Sequence, residues 1–431
     1  MKARRASLVY LAANLAAAAV PFTMLPVLVR LIDKAEYGQV AIFQAFVNMT
    51  LAIVGVNTVG AVKRHYFVAR NDGASGEASY AHLIGTTLAI LAASFALSFV
   101  VVLAFGRWLV PLTGLDTRAL TFGLVFAAAS FVVNLRLADY QVRGRAAAFG
   151  IMQVGMALAN LLLSLIIVLW FLRSAEGRIL GVTLSGVAVA AIALVSLARA
   201  GLIRWPVRAA VKEALAFGLP LVPHALGMFL LASADRFFIK TYVGLAEVGV
   251  YAAAVQISFL LRVVNDAMNK SFQPWVFDRL SRGNDTADTR LDTGRVVVGA
   301  FYRIGAVSVV MAGFLALSGP FFIPILLGAG YADAAGLIPI LALGTAFHGL
   351  YLYLINVLLY TRRTSALAST TIVLGLINLG LLFLLVPRWG AQGAAWAFAI
   401  ASLMRVLTVG GLCRKAWPLS WTKPRFSVSP Q

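Results

Sequence analysis

The chain alternates between long apolar runs and short polar segments that hold most of its charged residues. A run of about 20 apolar residues is long enough to cross a bilayer as an α-helix. Helices also satisfy their own backbone hydrogen bonds in lipid, where water cannot. The pattern predicts twelve membrane-spanning helices, near residues 8–29, 39–61, 81–105, 119–137, 148–172, 179–198, 214–234, 246–265, 296–318, 335–360, 366–386 and 391–412.

Composition supports an all-α polytopic membrane protein over a set of soluble domains. Of the 431 residues, 61% are hydrophobic and only 12% are charged, whereas soluble domains hold about 25% charged residues. The first apolar run follows basic residues, as in a signal peptide, but it is too long and has no clear cleavage site, so we expect a retained helix. The single cysteine, Cys413, rules out an intrachain disulfide and gives no metal site.

The positive charges are distributed unevenly between the two sides of the membrane. With twelve spans, 25 of the 36 Lys and Arg residues fall on one side, 9 fall on the other, and Arg303 and Arg405 lie within spans. The positive-inside rule therefore predicts that both termini are cytoplasmic. The net charge of +20 then reflects topology, and it requires no nucleic acid partner.

The two halves of the sequence show a weak internal repeat. The segment EYGQVAIFQAF, from Glu36, matches EVGVYAAAVQISF, from Glu247. The matched pairs are Tyr37 with Tyr251, Pro111 with Pro324 and Asn160 with Asn378. We predict two six-helix halves, residues 1–203 and 204–431, related by a pseudo-two-fold axis along the membrane normal. Transporters built from such repeats bind substrate between the halves and work by alternating access.

Several segments resemble a known family. LPLVPHALGMFLLASADRFFIKTYVGLAEVGVYAAAVQI contains a DR pair at the end of the seventh span and a G-x-Y at the start of the eighth. Further similar segments are NKSFQPWVFDRL, FIPILLGAGYADAAGLIPILALG and INLGLLFLLVPRWGAQGAAWAFAIAS. In this order they resemble the bacterial polysaccharide flippases of the MOP exporter superfamily.

This resemblance implies a transporter of the bacterial inner membrane and not an enzyme. Its cargo would be a polyprenyl-diphosphate-linked oligosaccharide, moved from the cytoplasmic to the periplasmic leaflet for lipopolysaccharide or exopolysaccharide assembly. Its partners would be the lipid bilayer and other membrane proteins of polysaccharide assembly. No cofactor is implied, and the coupling ion, H+ or Na+, stays open.

The candidate residues for an anionic cargo are five charged residues near span ends: Asp235, Arg236, Lys240, Arg30 and Arg64. Arginine suits a diphosphate because its planar fork donates two hydrogen bonds to one phosphate. For Asp235 and Arg236 two interpretations stay open, an interfacial pair with a snorkelling arginine and a cation that faces the cavity between the halves. Arg30, Arg64 and Lys240 are equally interpretable as interfacial anchors.

Other functions remain as alternatives. A glycan polymerase or ligase has similar size and hydropathy, but it typically carries a large periplasmic loop, and here the segment near 319–334 is short and lacks Lys and Arg. A cation-coupled multidrug exporter of the same superfamily would need buried carboxylates, and residues 6–32 contain no acid. A passive channel is the third alternative. Neither G-x-S-x-G nor a P-loop occurs, and the four histidines show no metal-ligand spacing.

Overall fold

A computed structural model describes residues 2–69, 72–283, 286–422 and 424–425. These residues form fourteen α-helices and a 3-10 turn, and none of them lies in a β-strand. The helices are α1 (Lys2–Leu31), α2 (Lys34–Ile53), α3 (Val59–Ala69), α4 (Gly73–Thr113), α5 (Thr117–Val142), α6 (Ala146–Trp170), α7 (Ala175–Arg199), α8 (Arg208–Gly218), α9 (Leu221–Ala232), α10 (Asp235–Tyr242), α11 (Leu245–Arg282), α12 (Ala287–Leu327), α13 (Ala334–Tyr360) and α14 (Thr364–Ala416).

A helix, or a pair of helices with a short break, occupies each of the twelve predicted spans. Ten helical segments of the described chain are long and apolar enough to cross a membrane. The last of these, α14, contains two predicted spans, because the backbone breaks at Gly390 with φ 53° and ψ −133°. The ten segments therefore contain eleven of the twelve predicted spans, and the α2–α3 pair forms the remaining one. The prediction of an all-α polytopic membrane protein is confirmed.

The second span is broken by a left-handed turn between α2 and α3. Gly55, Val56 and Asn57 have φ values of 74°, 51° and 52°, a conformation that costs a residue with a Cβ roughly 1–2 kcal/mol. Several polar groups of the turn form hydrogen bonds within the turn or with the end of α2. Thr58 donates to the Gly55 carbonyl from its hydroxyl at 2.7 Å and from its N–H at 3.1 Å. The Asn57 amide donates to the Ala52 carbonyl at 3.2 Å.

The helices form two compact units. Unit 1 comprises Met1–Phe229 with Gly244–Gly249, and unit 2 comprises Leu230–Val243 with Val250–Gln431. Unit 1 is built around α5, which packs against α2, α3, α4, α6 and α7. Unit 2 is built around α13, which packs against α12 and α14. The predicted boundary between residues 203 and 204 divides the chain by its sequence repeat and not by its packing. The compact units therefore do not test it, and it stays a prediction.

Polar caps fix where several spans begin. At the start of α2, the Asp33 carboxylate accepts from the Glu36 N–H at 2.8 Å, and the Glu36 carboxylate accepts from the Asp33 N–H at 3.2 Å. Asp116 caps α5 by accepting from the Ala119 N–H at 2.8 Å. Such caps satisfy N–H groups that the first turn of a helix leaves without an intrahelical partner, which suits a helix that starts at the membrane surface.

Candidate functional site

Unit 1 contains a polar cavity of about 710 Å³ among its membrane-spanning helices. It is bounded by α1, α2, α3, α5, α6 and the start of α9. Its lining residues are Asn14, Leu51, Asn57, Val59, Gly60, Lys63, Phe131, Asn134, Leu137, Ala138, Gln141, Phe149, Gln153 and Leu221. The set contains one cation, five side-chain amides and two aromatic rings, but no carboxylate. A cavity with this lining can donate to an anion and can both donate to and accept from hydroxyl groups.

The regular spacing of α5 creates the long wall of this cavity. Phe131, Asn134, Ala138 and Gln141 follow one another at intervals of three or four residues, so they share one face of the helix. Across the cavity, the Lys63 ammonium of α3 donates to the Gln141 side-chain oxygen at 2.9 Å. This hydrogen bond uses one of the three ammonium donors. The cation is therefore positioned by an amide and not neutralised by an acid.

The other face of α5 holds a buried charge network with α4. Asp139, fully buried, accepts from Arg136 at 2.8 Å, from Arg143 at 2.7 Å and from the Tyr80 hydroxyl at 3.2 Å. Arg143 also pairs with Glu77. Because two guanidinium groups and a hydroxyl surround its carboxylate, Asp139 stabilises unit 1 and does not line the cavity.

In unit 2, the predicted pair Asp235 and Arg236 forms an ordered cluster. The seventh span ends at Ala232, and the pair opens the separate short helix α10. Asp235 Oδ1 accepts from the Arg236 backbone N–H at 2.9 Å and from Arg236 Nη1 at 3.0 Å, while Oδ2 accepts from the Tyr251 hydroxyl at 2.6 Å. Arg236 Nη1 also donates to the Ala232 carbonyl at 3.1 Å. The carboxylate thus orients the arginine, and the hydrogen bonds described for the guanidinium all use Nη1.

The other three predicted residues lie apart from this pair along the chain. Lys240 is on α10, one helical turn beyond Arg236. Arg30 is exposed in the last turn of α1, and Arg64 is exposed on α3, both in unit 1. Arg64 does not line the 710 Å³ cavity, whereas its neighbour Lys63 does. A role for Arg30, Arg64 and Lys240 in cargo binding stays a prediction.

Sequence reasoning overlooked the cavity residues Lys63, Gln141 and Gln153. In the sequence Lys63 is one of several cations that flank a span, and residue type alone does not distinguish it from Arg64. Helical spacing was the available signal, because Lys63 lies on the same face of α3 as Val59 and Gly60. Adjacent residues on a helix point about 100° apart, so only one of the two cations could face the cavity.

The deeply placed Arg405 is stabilised within unit 2 without an acid. The arginine is 4% exposed, its guanidinium lies 3.7 Å from the centre of the Tyr351 ring, and Nη1 lies 3.3 Å from His348 Nδ1. Because a guanidinium only donates, His348 Nδ1 is the acceptor in this contact. The sequence shows no partner for Arg405, since His348 and Tyr351 lie on another helix.

The described residues contain no group of three or more His, Cys, Asp and Glu side chains that could hold a metal ion.

The fold is that of a polytopic helical membrane protein with a polar internal cavity, and solved membrane transporters share it. Over 94% of this chain, the fold matches an inward-facing multidrug resistance MATE family transporter of the MOP superfamily, with 93% of that chain covered, a TM-score of 0.70 and 16% identity. It also matches the lipid II flippase MurJ in an inward closed conformation over 94% of this chain and 87% of that chain, with a TM-score of 0.72 and 11% identity. At identities this low, the two comparisons show a shared fold and not a shared function.

The sequence defines the family more closely. The model of the polysaccharide biosynthesis protein family matches residues 3–278, and the chain belongs to this family. An uncharacterized membrane protein of Haemophilus influenzae is 25% identical over 387 residues, which cover 87% of this chain and 88% of the relative. The sequence therefore places the chain in the polysaccharide biosynthesis protein family, and its fold is the one seen in the MATE transporter and in MurJ.

Proposed function

We propose that this protein is a flippase that moves a polyprenyl-diphosphate-linked oligosaccharide from the cytoplasmic to the periplasmic leaflet by alternating access. The observation that carries the proposal is the lining of the unit 1 cavity, with one cation, five amides and no carboxylate. Its volume, about 710 Å³, lies within the 300–1,000 Å³ that ligand pockets usually have, as an order-of-magnitude range.

The cavity chemistry suits a glycan that carries an anionic group. Each Asn or Gln side chain supplies two N–H donors and a carbonyl acceptor, which matches the mixed donors and acceptors of sugar hydroxyls. The rings of Phe131 and Phe149 offer flat apolar surfaces to the C–H faces of a sugar. Lys63 supplies a charged donor for phosphate oxygens, and charge-assisted hydrogen bonds are roughly twice as strong as neutral ones.

Arg236 is the second proposed contact for the diphosphate. Asp235, which accepts from Tyr251, also accepts from the backbone N–H and Nη1 of Arg236, so the remaining edge of the guanidinium is pre-oriented for an acceptor. A guanidinium held in one rotamer loses less conformational entropy when it binds. Arg30, Arg64 and Lys240 are proposed as weaker contacts on the path of the charged headgroup.

The setting of this proposal is the bacterial inner membrane, with both termini in the cytoplasm. The strong excess of Lys and Arg on one side of the twelve spans supports this orientation. The translocated unit would supply lipopolysaccharide or exopolysaccharide assembly, together with other membrane proteins of that process. Either H+ or Na+ would serve as the coupling ion.

Among the described residues that line the cavity there is no carboxylate, which weighs against a cation-coupled multidrug exporter. A cationic drug would need a carboxylate in the cavity to balance its charge. The closest acid along α5, Asp139, is surrounded by Arg136, Arg143 and Tyr80 on the opposite face of that helix. Within the described residues that line the cavity, Lys63 would instead repel a cation.

The test is the pool of lipid-linked glycan in a bacterial strain that lacks the gene, assayed separately in the two leaflets. We expect intermediates to accumulate in the cytoplasmic leaflet and to be restored by the intact gene. Translocated but unpolymerised units would instead identify a glycan polymerase or ligase. An unchanged glycan pool would overturn the proposal in favour of the drug exporter.

A further inference from the structure

The segment after α14 is fastened along the first turns of α12. We call residues 417–422 and 424–425 the terminal strap. The Trp417 indole N–H donates to the Arg290 carbonyl at 3.1 Å. The Tyr302 hydroxyl donates to the Trp421 carbonyl at 3.1 Å, and the Trp421 ring packs edge-on against Phe301 at 5.3 Å. These contacts hold the strap against α12 within unit 2.

A basic pocket of about 370 Å³ lies between the strap and α12. Arg290, Arg414 and Lys415 line it, together with Trp417. The Arg290 guanidinium lies over the Trp417 ring at 4.7 Å, and its Nε is buried without a hydrogen-bond partner among the described residues. Three cations therefore converge on one small pocket, and an indole ring positions one of them.

The nearby acids leave these cations without an ion pair. Asp292 accepts both contacts from the Arg425 guanidinium, at 2.9 Å and 3.0 Å. Asp288 is exposed and does not line the pocket. Within the described residues, neither Arg290, Arg414 nor Lys415 has an acidic group within 4.0 Å. The pocket consequently favours an anion.

An apolar groove of about 300 Å³ adjoins the pocket and shares Arg414 with it. Leu354, Leu407, Gly410 and Gly411 contribute to its walls. A methyl group built on Gly411 would meet no atom within 4 Å, and one on Gly410 would meet only Leu354, at 3.9 Å. The two glycines therefore leave a channel along α14, and Leu407 beside it is 66% exposed.

We propose that pocket and groove together bind one anionic phospholipid of the surrounding leaflet. Its phosphate would accept from Arg290, Arg414 and Lys415, and an acyl chain would lie along Gly410 and Gly411. The guanidinium group of arginine can donate two parallel hydrogen bonds to phosphate oxygens, and basic pockets at the membrane surface bind anionic headgroups. Arg414 belongs to both cavities, which places the charge and the apolar channel within the reach of one lipid. This inference does not depend on the proposed flippase function.

The experiment measures lipid binding to the purified full-length protein by native mass spectrometry. The probes are phosphatidylglycerol, phosphatidylcholine and inorganic phosphate. We expect phosphatidylglycerol to bind about tenfold more tightly than phosphatidylcholine. Each of Arg290→Gln, Arg414→Gln and Lys415→Gln should weaken phosphatidylglycerol binding about fivefold. The matched control is Arg363→Gln, an exposed cation outside both cavities, and it should leave binding unchanged.

A second variant distinguishes binding of a lipid from binding of a free anion. It also keeps the test valid if a charge variant fails to fold. Gly411→Leu adds a side chain beside the groove, and its Cβ would meet no atom within 4 Å. It should weaken phosphatidylglycerol binding and should not change the binding of inorganic phosphate. Equal binding of the two lipids would overturn the proposal. So would phosphatidylglycerol binding that is insensitive to Gly411→Leu, since the site would then take a free anion.

Discussion

Gly38 in α2 and Gly249 in α11 lie against each other within unit 1, with no room for a side chain between them. A Cβ on Gly38 would collide with the main-chain carbonyl of Leu245, and one on Gly249 would collide with that of Lys34. Gly38 belongs to EYGQVAIFQAF and Gly249 belongs to EVGVYAAAVQISF, the two segments that the sequence repeat matches. The matched segments therefore contact each other directly, backbone to backbone.

The Gly38 contact predicts a strong effect from one methyl group. In Gly38→Ala the added Cβ meets backbone, which cannot rotate away, so we expect a loss of about 1–3 kcal/mol of stability. The measurement is the thermal unfolding midpoint of the detergent-purified protein. Gly313→Ala is the matched control, because a Cβ there meets nothing within 4 Å. Equal midpoints for the two variants would contradict the close packing.

Lys63 is predicted to be required for transport. Lys63→Gln keeps a polar side chain in the cavity but removes the one cation among the described residues that line it, and the loss of one charge-assisted hydrogen bond should lower the export rate about tenfold. The leaflet assay in the gene-deletion strain measures it. The control is Arg145→Gln, an exposed cation that does not line the cavity. A Lys63→Gln protein that exports at the wild-type rate would exclude Lys63 from cargo binding.

Reversal of the charge at Arg236 is predicted to abolish export without loss of the protein from the membrane. In Arg236→Glu a second carboxylate would lie beside Asp235 and would repel a diphosphate. Export of lipid-linked glycan and the amount of protein in the membrane are measured together. Arg388→Glu makes the same charge change at an exposed site of unit 2 and should retain export. Wild-type export by Arg236→Glu would exclude Arg236 as a contact for the diphosphate.

The Tyr251 hydroxyl is predicted to contribute to stability through Asp235. Tyr251→Phe removes the 2.6 Å hydrogen bond to a buried carboxylate, which should cost about 1.5–3 kcal/mol. Tyr242→Phe, at an exposed position of α10, should change the unfolding midpoint little. If both variants unfold at the wild-type temperature, Tyr251 does not support the carboxylate.

The charge network behind α5 predicts an asymmetry between two acids. Asp139→Ala leaves the buried Arg136 without its carboxylate partner, and breaking a buried ion pair costs about 3–5 kcal/mol. Glu77→Ala removes a carboxylate that is 52% exposed, so its effect should stay near the 0–1 kcal/mol of surface pairs, roughly. Unfolding midpoints compare the two. A milder effect from Asp139→Ala would mean that water reaches the network.

The helices were more predictable from the sequence than the site was. Apolar length and flanking charge were enough to place the spans, including the division of α14, because Arg388 and Gly390 interrupt the apolar run. The cavity depends on which face of α3 packs toward α5, and that is decided by tertiary contacts. The same limit applies to Arg405 and His348, which lie 57 residues apart. The Asp235–Arg236 pair was visible because two opposite charges at the end of an apolar run need a local explanation.

The broken second span has a consequence for the way the protein enters the membrane during synthesis. The α2–α3 pair is not among the segments long and apolar enough to cross by themselves, and its helix is interrupted by the left-handed turn at residues 55–57. Backbone groups left without a hydrogen bond are costly in lipid. Both helices pack on α5, which is synthesised only after α4. We therefore expect this span to enter lipid late, together with α5, so that its insertion and its folding are a single event.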